Sequence, residues 1–411
     1  MHQDTTAAAG ERRRLRLSLS RIIDEQLAAE VEKESVCISP HVRRLTVTGA
    51  GQAVEVELDS VDDAAAAEVQ GKVERFLGAM LQRVRRIEPR VYFSHTRRDD
   101  RPFTEDVYEG LRELGWLFEH GPGFVSLGGA ARRLALGIDA ALAERYRRRF
   151  GAVDSMFPAF IRADVLARCG YFESHPNTAS MVTHIIDDFD MIESFRVANE
   201  GQRELQLPCA AMLATPEICL NPAACFPCYQ ALEGRRLDKG GRVLTWQGRV
   251  FRYESRNTRG LDRLAEFNVR ELVFLGDDAL ISERRREAVE LLGELITEWD
   301  LECRIETATD PFFATVGAAR AFWQEARDVK YEIRLTVGTD PRGKPRTIAG
   351  GSFNLHESFF GERFSITAAE GEPAFTGCVG VGIERWVLAV FSQHGLDPDG
   401  WPPALGRMVS P

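Results

Sequence analysis

Residues 249–277 read RVFRYESRNTRGLDRLAEFNVRELVFLGD, and the fold turns on how this stretch is taken. Val250, Phe251 and Tyr253 are strand formers, and Phe267, Val269, Leu272 and Phe274 return as a second apolar run. Between the runs lie Arg252, Glu254, Arg256, Arg259, Asp262, Arg263 and Glu266, a density of charge that belongs on a loop. The pattern predicts two antiparallel strands joined by a charged connection. An isolated surface hairpin carries such charges harmlessly, so a second stretch bears on the choice: Thr376–Trp386, TGCVGVGIERW.

The pairing of FRYE with a later GVGIERW resembles motifs 2 and 3 of the class II aminoacyl-tRNA synthetases. In that family the first Arg of FRxE binds the α-phosphate of ATP, an aromatic on the returning strand stacks on adenine, and the motif 3 Arg binds the distal phosphates. The resemblance places these roles on Arg252, Phe267 and Arg385. The chemistry fits the residue types, because adenylation spreads negative charge over the attacked phosphate and Arg supplies planar, permanently charged donors. Gly377, Gly380 and Gly382 also invite comparison with a dinucleotide loop. That reading fails because a Rossmann unit needs a further parallel strand, and too little periodic sequence follows Leu396.

A third stretch is LNPAACFPCY, Leu220–Tyr229. It resembles the cysteine-bearing segment of atypical, methanogenic-type seryl-tRNA synthetases and of their truncated relatives, the amino acid:carrier protein ligases. In both groups a Cys here, the Glu of FRxE and a Cys just before motif 3 hold zinc, which implies Cys225, Glu254 and Cys378. Two thiolates and one carboxylate leave a fourth tetrahedral position open, and the resemblance implies that it takes the unprotonated α-amino group of an amino acid. Taken alone, each cysteine reads as a small buried hydrophobe. Cys225 and Cys228 also form a single CxxC, but no second CxxC or HxxxH follows, so a zinc ribbon is discounted. Class II enzymes place carboxylates near the ATP phosphates, which makes Glu271 and Glu332 candidates for magnesium. IAGGSFNLHESFFGERFSI (348–366) resembles a strand-loop-strand of the carrier-protein ligases; Ser352 and Asn354 are candidates for the amino-acid pocket, and His356 is open between that pocket and a structural hydrogen bond.

Composition sets the bounds. The chain has 411 residues, 44% hydrophobic, with a formal net charge of −10. That is enough for one large domain with an appendage, and it argues against extensive nucleic-acid contact. Eight cysteines are too few for a disulfide scaffold at this size. No apolar run is long enough to span a bilayer and MHQDTTAAAGERRRLRL lacks the apolar core of a signal peptide, so a cytoplasmic location is expected.

Along the chain, alternation over Arg14–Ser20, Arg43–Thr48 and Ala53–Leu58, followed by helical spacing over Asp62–Arg86, predicts a small α/β appendage assigned to residues 1–100. Residues 101–411 form the expected catalytic domain. It opens with a helix capped by Thr104, then a strand-turn-strand over GWLFEHGPGFVSLGG and a basic helix over Ala130–Phe150. GYFESHPNTASMV (170–182) is compatible with a class II motif 1, and Asp187–Glu204 is an acidic helical segment. Ser282–Trp299 is a capped amphipathic helix, and TGCVGVGIERWVLAVFSQHGL reads as strand, glycine turn and helix.

The fold expected is therefore α+β, a class II synthetase-like antiparallel sheet flanked by helices. The resemblance implies a ligase that activates a small amino acid with ATP and passes it to the phosphopantetheine thiol of an acyl or peptidyl carrier protein, with zinc and magnesium as cofactors, in a homodimer. The alternatives are an atypical seryl-tRNA synthetase-like enzyme charging tRNA, and a catalytically silent amino-acid-binding regulator. The short appendage and the acidic balance favour the carrier protein over tRNA.

Overall fold

The structure, a computed structural model, describes residues 13–59, 61–81, 89–308, 329–340 and 343–410. They fall into two compact units. In the first, β1 (Arg13–Ser18), β2 (Val42–Thr48) and β3 (Ala53–Leu58) form an antiparallel sheet in the order β1-β3-β2. Two helices, α1 (Glu25–Glu34) and α2 (Asp63–Leu81), accompany it. The alternation of Val54, Val56 and Leu58 meets the helical spacing of Val69, Val73, Phe76 and Met80 in one buried cluster. The expected continuation of α2 to Arg86 lies outside the described residues. Glu254–Thr258 also belongs to this unit. Within it Arg256 donates to the carbonyls of Val42 (2.9 Å) and Pro40 (2.8 Å).

The second unit is built on an eight-stranded sheet. Its strands are β4 (Val91–His95), β7 (Val153–Asp154), β11 (Arg242–Phe251), β12 (Glu266–Gly276), β13 (Cys303–Thr307), β14 (Lys330–Thr339), β15 (Pro345–Glu357) and β16 (Phe375–Gly382). Their order is β4-β13-β14-β15-β16-β12-β11-β7. All neighbours are antiparallel except β7 beside β11. The strand Val91–His95, assigned to the appendage by its position before residue 100, is thus an edge of the large sheet. Between these come a hairpin of β5 (Leu117–Gly121) and β6 (Phe124–Leu127), and a small sheet of β8 (Phe160–Arg162), β9 (Met181–Val182) and β10 (Ile218–Leu220).

Helices cover both faces, which is why β12 ends in LVFLG (272–276) without polar relief. On one face lie α3 (Val107–Glu113), α4 (Gly129–Phe150), α9 (Asp278–Glu298), α11 (Ile383–His394) and α12 (Pro403–Val409), whose apolar sides meet Leu272, Phe274, Ile333, Phe353, Val379 and Val381. On the other lie the shorter α5 (Ala163–Arg168), α6 (Tyr171–Ser174), α8 (Phe226–Ala231) and α10 (Phe359–Arg363), packed on Leu244, Trp246, Val273 and Leu275. A further helix, α7 (Phe189–Asn199), lies between β9 and β10 in sequence. Two helix starts differ from expectation. Asp106, not Thr104, caps α3 by accepting from Glu109 N, and Asp277 caps α9, so that helix begins four residues before Ser282. No helix among the described residues is long and apolar enough to cross a membrane.

Candidate active site

The register of the central strands assembles the site. β11 and β12 pair as Trp246↔Glu271 and Val250↔Phe267, the two strands expected of the opening stretch. β12 and β16 pair as Glu271↔Gly380 and Val273↔Cys378, and β16 and β15 as Gly380↔Ser352 and Cys378↔Asn354. β15 then meets β14 as Ser352↔Glu332 and Asn354↔Lys330. Directly paired residues point to the same face of a sheet. Glu271, Cys378, Ser352, Asn354, Glu332 and Lys330 therefore share one face, and the large apolar residues between them line the opposite core.

Cys225 reaches that face from the start of α8. Gly248 permits this, because a Cβ there would lie 2.9 Å from the Cβ of Ala224. The ligand atoms of Cys225, Glu271 and Cys378 all lie within 4.8 Å of one another, and all three residues are buried. Gly380 makes room for the carboxylate, since its Cβ would stand 3.0 Å from Glu271 Oε2.

The resemblance put Glu254 in this set and Glu271 with magnesium; the structure gathers Glu271 with the thiols instead. Glu254 follows the end of β11 and belongs to the other compact unit. Glu271 projects from the middle of a strand whose register with Cys378 is fixed by a full ladder of pairs. The signal for it was visible: a lone carboxylate inside the apolar run of β12. Cys228 does not join the cluster; it is fully buried in the apolar packing around α8, which pushes its thiol pKa up.

The cluster is electrostatically primed for a cation. Burial, then the charge of Cys378 and a hydrogen bond to it, hold the Glu271 carboxyl well above the usual carboxylate range. The hydrogen bond with Cys225, then burial, raise the Cys378 thiol well above its ordinary value. At Cys225 the hydrogen bond with Cys378 lowers the pKa, but burial and the neighbouring acids outweigh it and the thiol is raised. Three acids that hinder one another's ionisation become favourable together once a divalent ion stands between them. Two buried thiols and a carboxylate form a donor set that suits zinc and leaves one tetrahedral position open.

Around the cluster, Asn354 Nδ2 donates to Ser352 Oγ (3.0 Å) and stands 3.5 Å from Cys378 Sγ. His356 Nε2 lies 3.7 Å from the same sulfur, and its Nδ1 lies 3.1 Å from Thr376 Oγ1 and 3.3 Å from Tyr229 OH. Arg252 donates from Nε to the carbonyl of Pro222 (3.1 Å), with its guanidinium 5.5 Å from the ring centre of Phe267. Its positive charge acts on Glu271 against the effect of burial. Arg385, in the first turn of α11, donates to the carbonyls of Asp262 and Ala349, both at 2.7 Å. Glu332 is held by Lys330 (3.1 Å) and Arg334 (3.0 Å). Glu332 thus lies between two cations, and Glu271 lies beside the two thiols.

No family model matches the chain. It is 31% identical over 256 residues to amino acid:acyl-carrier-protein ligase 1 of Bradyrhizobium diazoefficiens, covering 62% of this chain and 76% of that protein. It is 29% identical over 332 residues to the type-2 serine–tRNA ligase of Methanothermobacter thermautotrophicus, covering 79% of this chain and 64% of that protein. The chain thus spans less than two thirds of the length of that ligase. Among solved structures, M. kandleri SerRS in complex with A. aeolicus tRNASec matches with a TM-score of 0.68 at 24% identity, over 96% of this chain and 77% of that one.

Proposed function

We propose, since this chain belongs to the family of the amino acid:acyl-carrier-protein ligases and type-2 serine–tRNA ligases, that it activates a small amino acid with ATP and transfers it to a carrier-protein thiol. The observation that carries the reading is the buried Cys225–Glu271–Cys378 cluster, with Arg252 just past the end of β11 and its guanidinium 5.5 Å from the ring centre of Phe267. In this reading Cys225, Glu271 and Cys378 would hold zinc, which would supply a Lewis acid for the unprotonated α-amino group of the amino acid. Ser352 and Asn354 line the side-chain pocket. Arg252 binds the α-phosphate, Phe267 lies against adenine and Arg385 binds the distal phosphates. A carboxylate oxygen of the amino acid then attacks the α-phosphorus while the bond to pyrophosphate breaks. Arg252 stabilises the charge that develops on the phosphate oxygens, and fixing the reactants in line replaces an encounter in solution. The phosphopantetheine sulfur attacks the acyl carbon, AMP leaves, and a thioester remains. ATP enters as its magnesium complex; no residue of this chain is assigned to that ion. A homodimer and a cytoplasmic location accompany the reading.

Two facts support the carrier protein as acceptor. The chain spans 76% and 73% of the two carrier-protein ligases it matches at 31% and 32% identity. The formal charge of −10 also disfavours a polyanionic partner. One observation favours tRNA: the likeness to M. kandleri SerRS extends over 96% of the chain, so it takes in the first unit as well.

The test is amino-acid-dependent pyrophosphate exchange across the twenty amino acids, on protein of measured zinc content, followed by acylation of phosphopantetheinylated carrier protein and of tRNA. Exchange with one small amino acid and a labelled carrier protein is expected. Labelled tRNA instead would move the acceptor, and no exchange by zinc-replete protein would leave an amino-acid-binding regulator.

A further inference from the structure

The ladder between β15 and β16 runs regularly through Asn354↔Cys378 and Leu355↔Gly377 and then slips, so that Glu357, not His356, faces Thr376. His356 is the extra residue of a β-bulge. Glu357, which follows it, stands at φ 50°, a left-handed conformation that a residue with a Cβ adopts at a cost. Bulges re-aim a side chain and are common beside active sites. Here the re-aimed ring comes to lie 3.7 Å, at Nε2, from the sulfur of Cys378.

Aromatic packing fixes the plane of that ring. Tyr229 of α8 and Phe360 of α10 stack with their centres 4.0 Å apart, 11° from parallel, and His356 meets both edge to face, at 6.0 Å and 4.9 Å. Each ring nitrogen then has its own neighbours. Nδ1 lies 3.1 Å from Thr376 Oγ1 and 3.3 Å from Tyr229 OH, while Nε2 faces the sulfur. The Tyr229 phenol is fully buried, and burial pushes its pKa up, so it keeps a proton for which Nδ1 is the acceptor in reach. A neutral imidazole that accepts at Nδ1 carries its own proton on Nε2. That N–H is directed at Cys378.

Among the described residues the mutually close ligand atoms are those of Cys225, Glu271 and Cys378, so His356 stands beside one member of the set and outside the set itself. Asn354, two residues earlier on β15, brings a second N–H to the same sulfur, at 3.5 Å. Donors of this kind favour the thiolate and restrict where its lone pairs point. We propose that His356 is a positioning residue: its Nε2–H, held in that tautomer by Tyr229 and Thr376, donates to Cys378 Sγ and aims that sulfur into the cluster. The role at the metal rests on reading Cys378 as a zinc ligand; the hydrogen bond does not.

The test begins with nitrogen NMR of the metal-free full chain, carrying 15N-histidine, at about pH 8, above the ordinary imidazole pKa of ~6.5. The His356 ring, identified as the signal that His356→Gln lacks, is expected to hold its proton on Nε2. A proton on Nδ1 instead would overturn the proposal with neither metal nor substrate involved. Cobalt then stands in for zinc, because thiolate coordination gives it a sulfur-to-metal charge-transfer band. His356→Ala should move that band to longer wavelength, since the lost N–H no longer lowers the energy of the sulfur lone pair. The same variant should bind zinc about tenfold or more weakly, on the usual scale for groups that support a ligand. His356→Gln, whose amide N–H reaches as far as Nε2, should return the band and bring zinc affinity to within about threefold of the unaltered protein. Should His356→Ala misfold, His356→Leu keeps the bulk and lacks the donor. A ring that serves packing alone would lower metal-free stability and leave the band in place; that result, or Gln binding zinc as weakly as Ala, would also overturn the proposal. A missing band in the unaltered protein would end the zinc reading and the role at the metal with it, and the tautomer would still show whether the bond to sulfur exists.

Discussion

Replacing Glu271 by Gln is the sharpest probe of the metal reading, because it changes charge and almost nothing else. The amide has the size of the carboxyl and keeps an oxygen toward Cys225 and Cys378. In the metal-free protein, burial holds the Glu271 carboxyl well above its usual range, so the exchange is close to neutral for neutral. Metal-free stability should therefore change by less than about 1 kcal/mol. With a cation present, one of three negative charges is missing. At an effective dielectric of ~20, two unit charges ~4 Å apart are worth about 4 kcal/mol, which a divalent ion makes a lower bound. Loss of that attraction corresponds to roughly a thousandfold weaker zinc binding, at ~1.4 kcal/mol per decade. By mass action the same ~4 kcal/mol vanishes from the zinc-dependent stabilisation at saturating metal. Titration against a chelating dye gives the affinity, and denaturant melts with and without zinc give the stabilisation. Glu254→Gln, in the other compact unit, should match the unaltered protein in both. The reasoning fails if Glu271→Gln keeps zinc within threefold of the unaltered protein, or if Glu254→Gln loses as much.

The same carboxyl makes the metal-free protein sensitive to pH. Its pKa is raised on folding from an ordinary 4.5, so its contribution to stability is complete below pH 4.5 and is lost as pH rises through the folded value. Urea melts of metal-free protein should show this loss and Glu271→Gln should abolish it; identical slopes for both proteins would count against the assignment. Asn354→Ala removes a donor that stands 3.5 Å from Cys378 Sγ and bonds Ser352. It should raise KM for the amino acid about tenfold with little change for ATP, on the usual scale for residues supporting metal ligands; equal effects on both substrates would place Asn354 elsewhere. On the opposite sheet face, Asp139 takes two hydrogen bonds from the buried Arg270, at 2.8 and 2.5 Å. Asp139→Ala strands that guanidinium and should cost about 3–5 kcal/mol in denaturant unfolding, with pyrophosphate exchange by the folded fraction unchanged. A cost under about 1 kcal/mol would mean that Asp154, 3.8 Å from Arg270, takes over the pairing.

How far the sequence speaks depends on whether a residue's direction is set locally. The strands of the opening stretch are legible because Val250 and Phe267 belong to apolar runs that only a pleat can bury on one side, and those two residues are paired. The α9 start was misplaced because Ser282 and Asp277 both suit a cap; the choice fell to Asp277, whose side chain accepts from Leu280 N at the turn from β12. Residues 181–218 show the limit from the other side: an acidic helical segment was expected over Asp187–Glu204 and α7 spans Phe189–Asn199, but nothing local says that Phe189 and Ile192 stay exposed.

The choice between Glu254 and Glu271 is the same matter at the site itself. Both carboxylates lie near the FRYE motif in sequence, and motif spacing alone does not distinguish a residue on a loop from one on a strand. Parity does. Glu271, Val273 and Leu275 alternate with Arg270, Leu272 and Phe274 along β12, and the second set fills a core with α4 and α9. A carboxylate on the first set must then face whatever Cys378 faces, because Val273 pairs with Cys378. A buried carboxylate without a partner cation is expensive, so its persistence in an apolar strand is itself an argument for a ligand. Glu254 carries no such constraint. It lies three residues past Phe251, the last residue of β11, outside the strand ladder, and no register ties its side chain to either thiol.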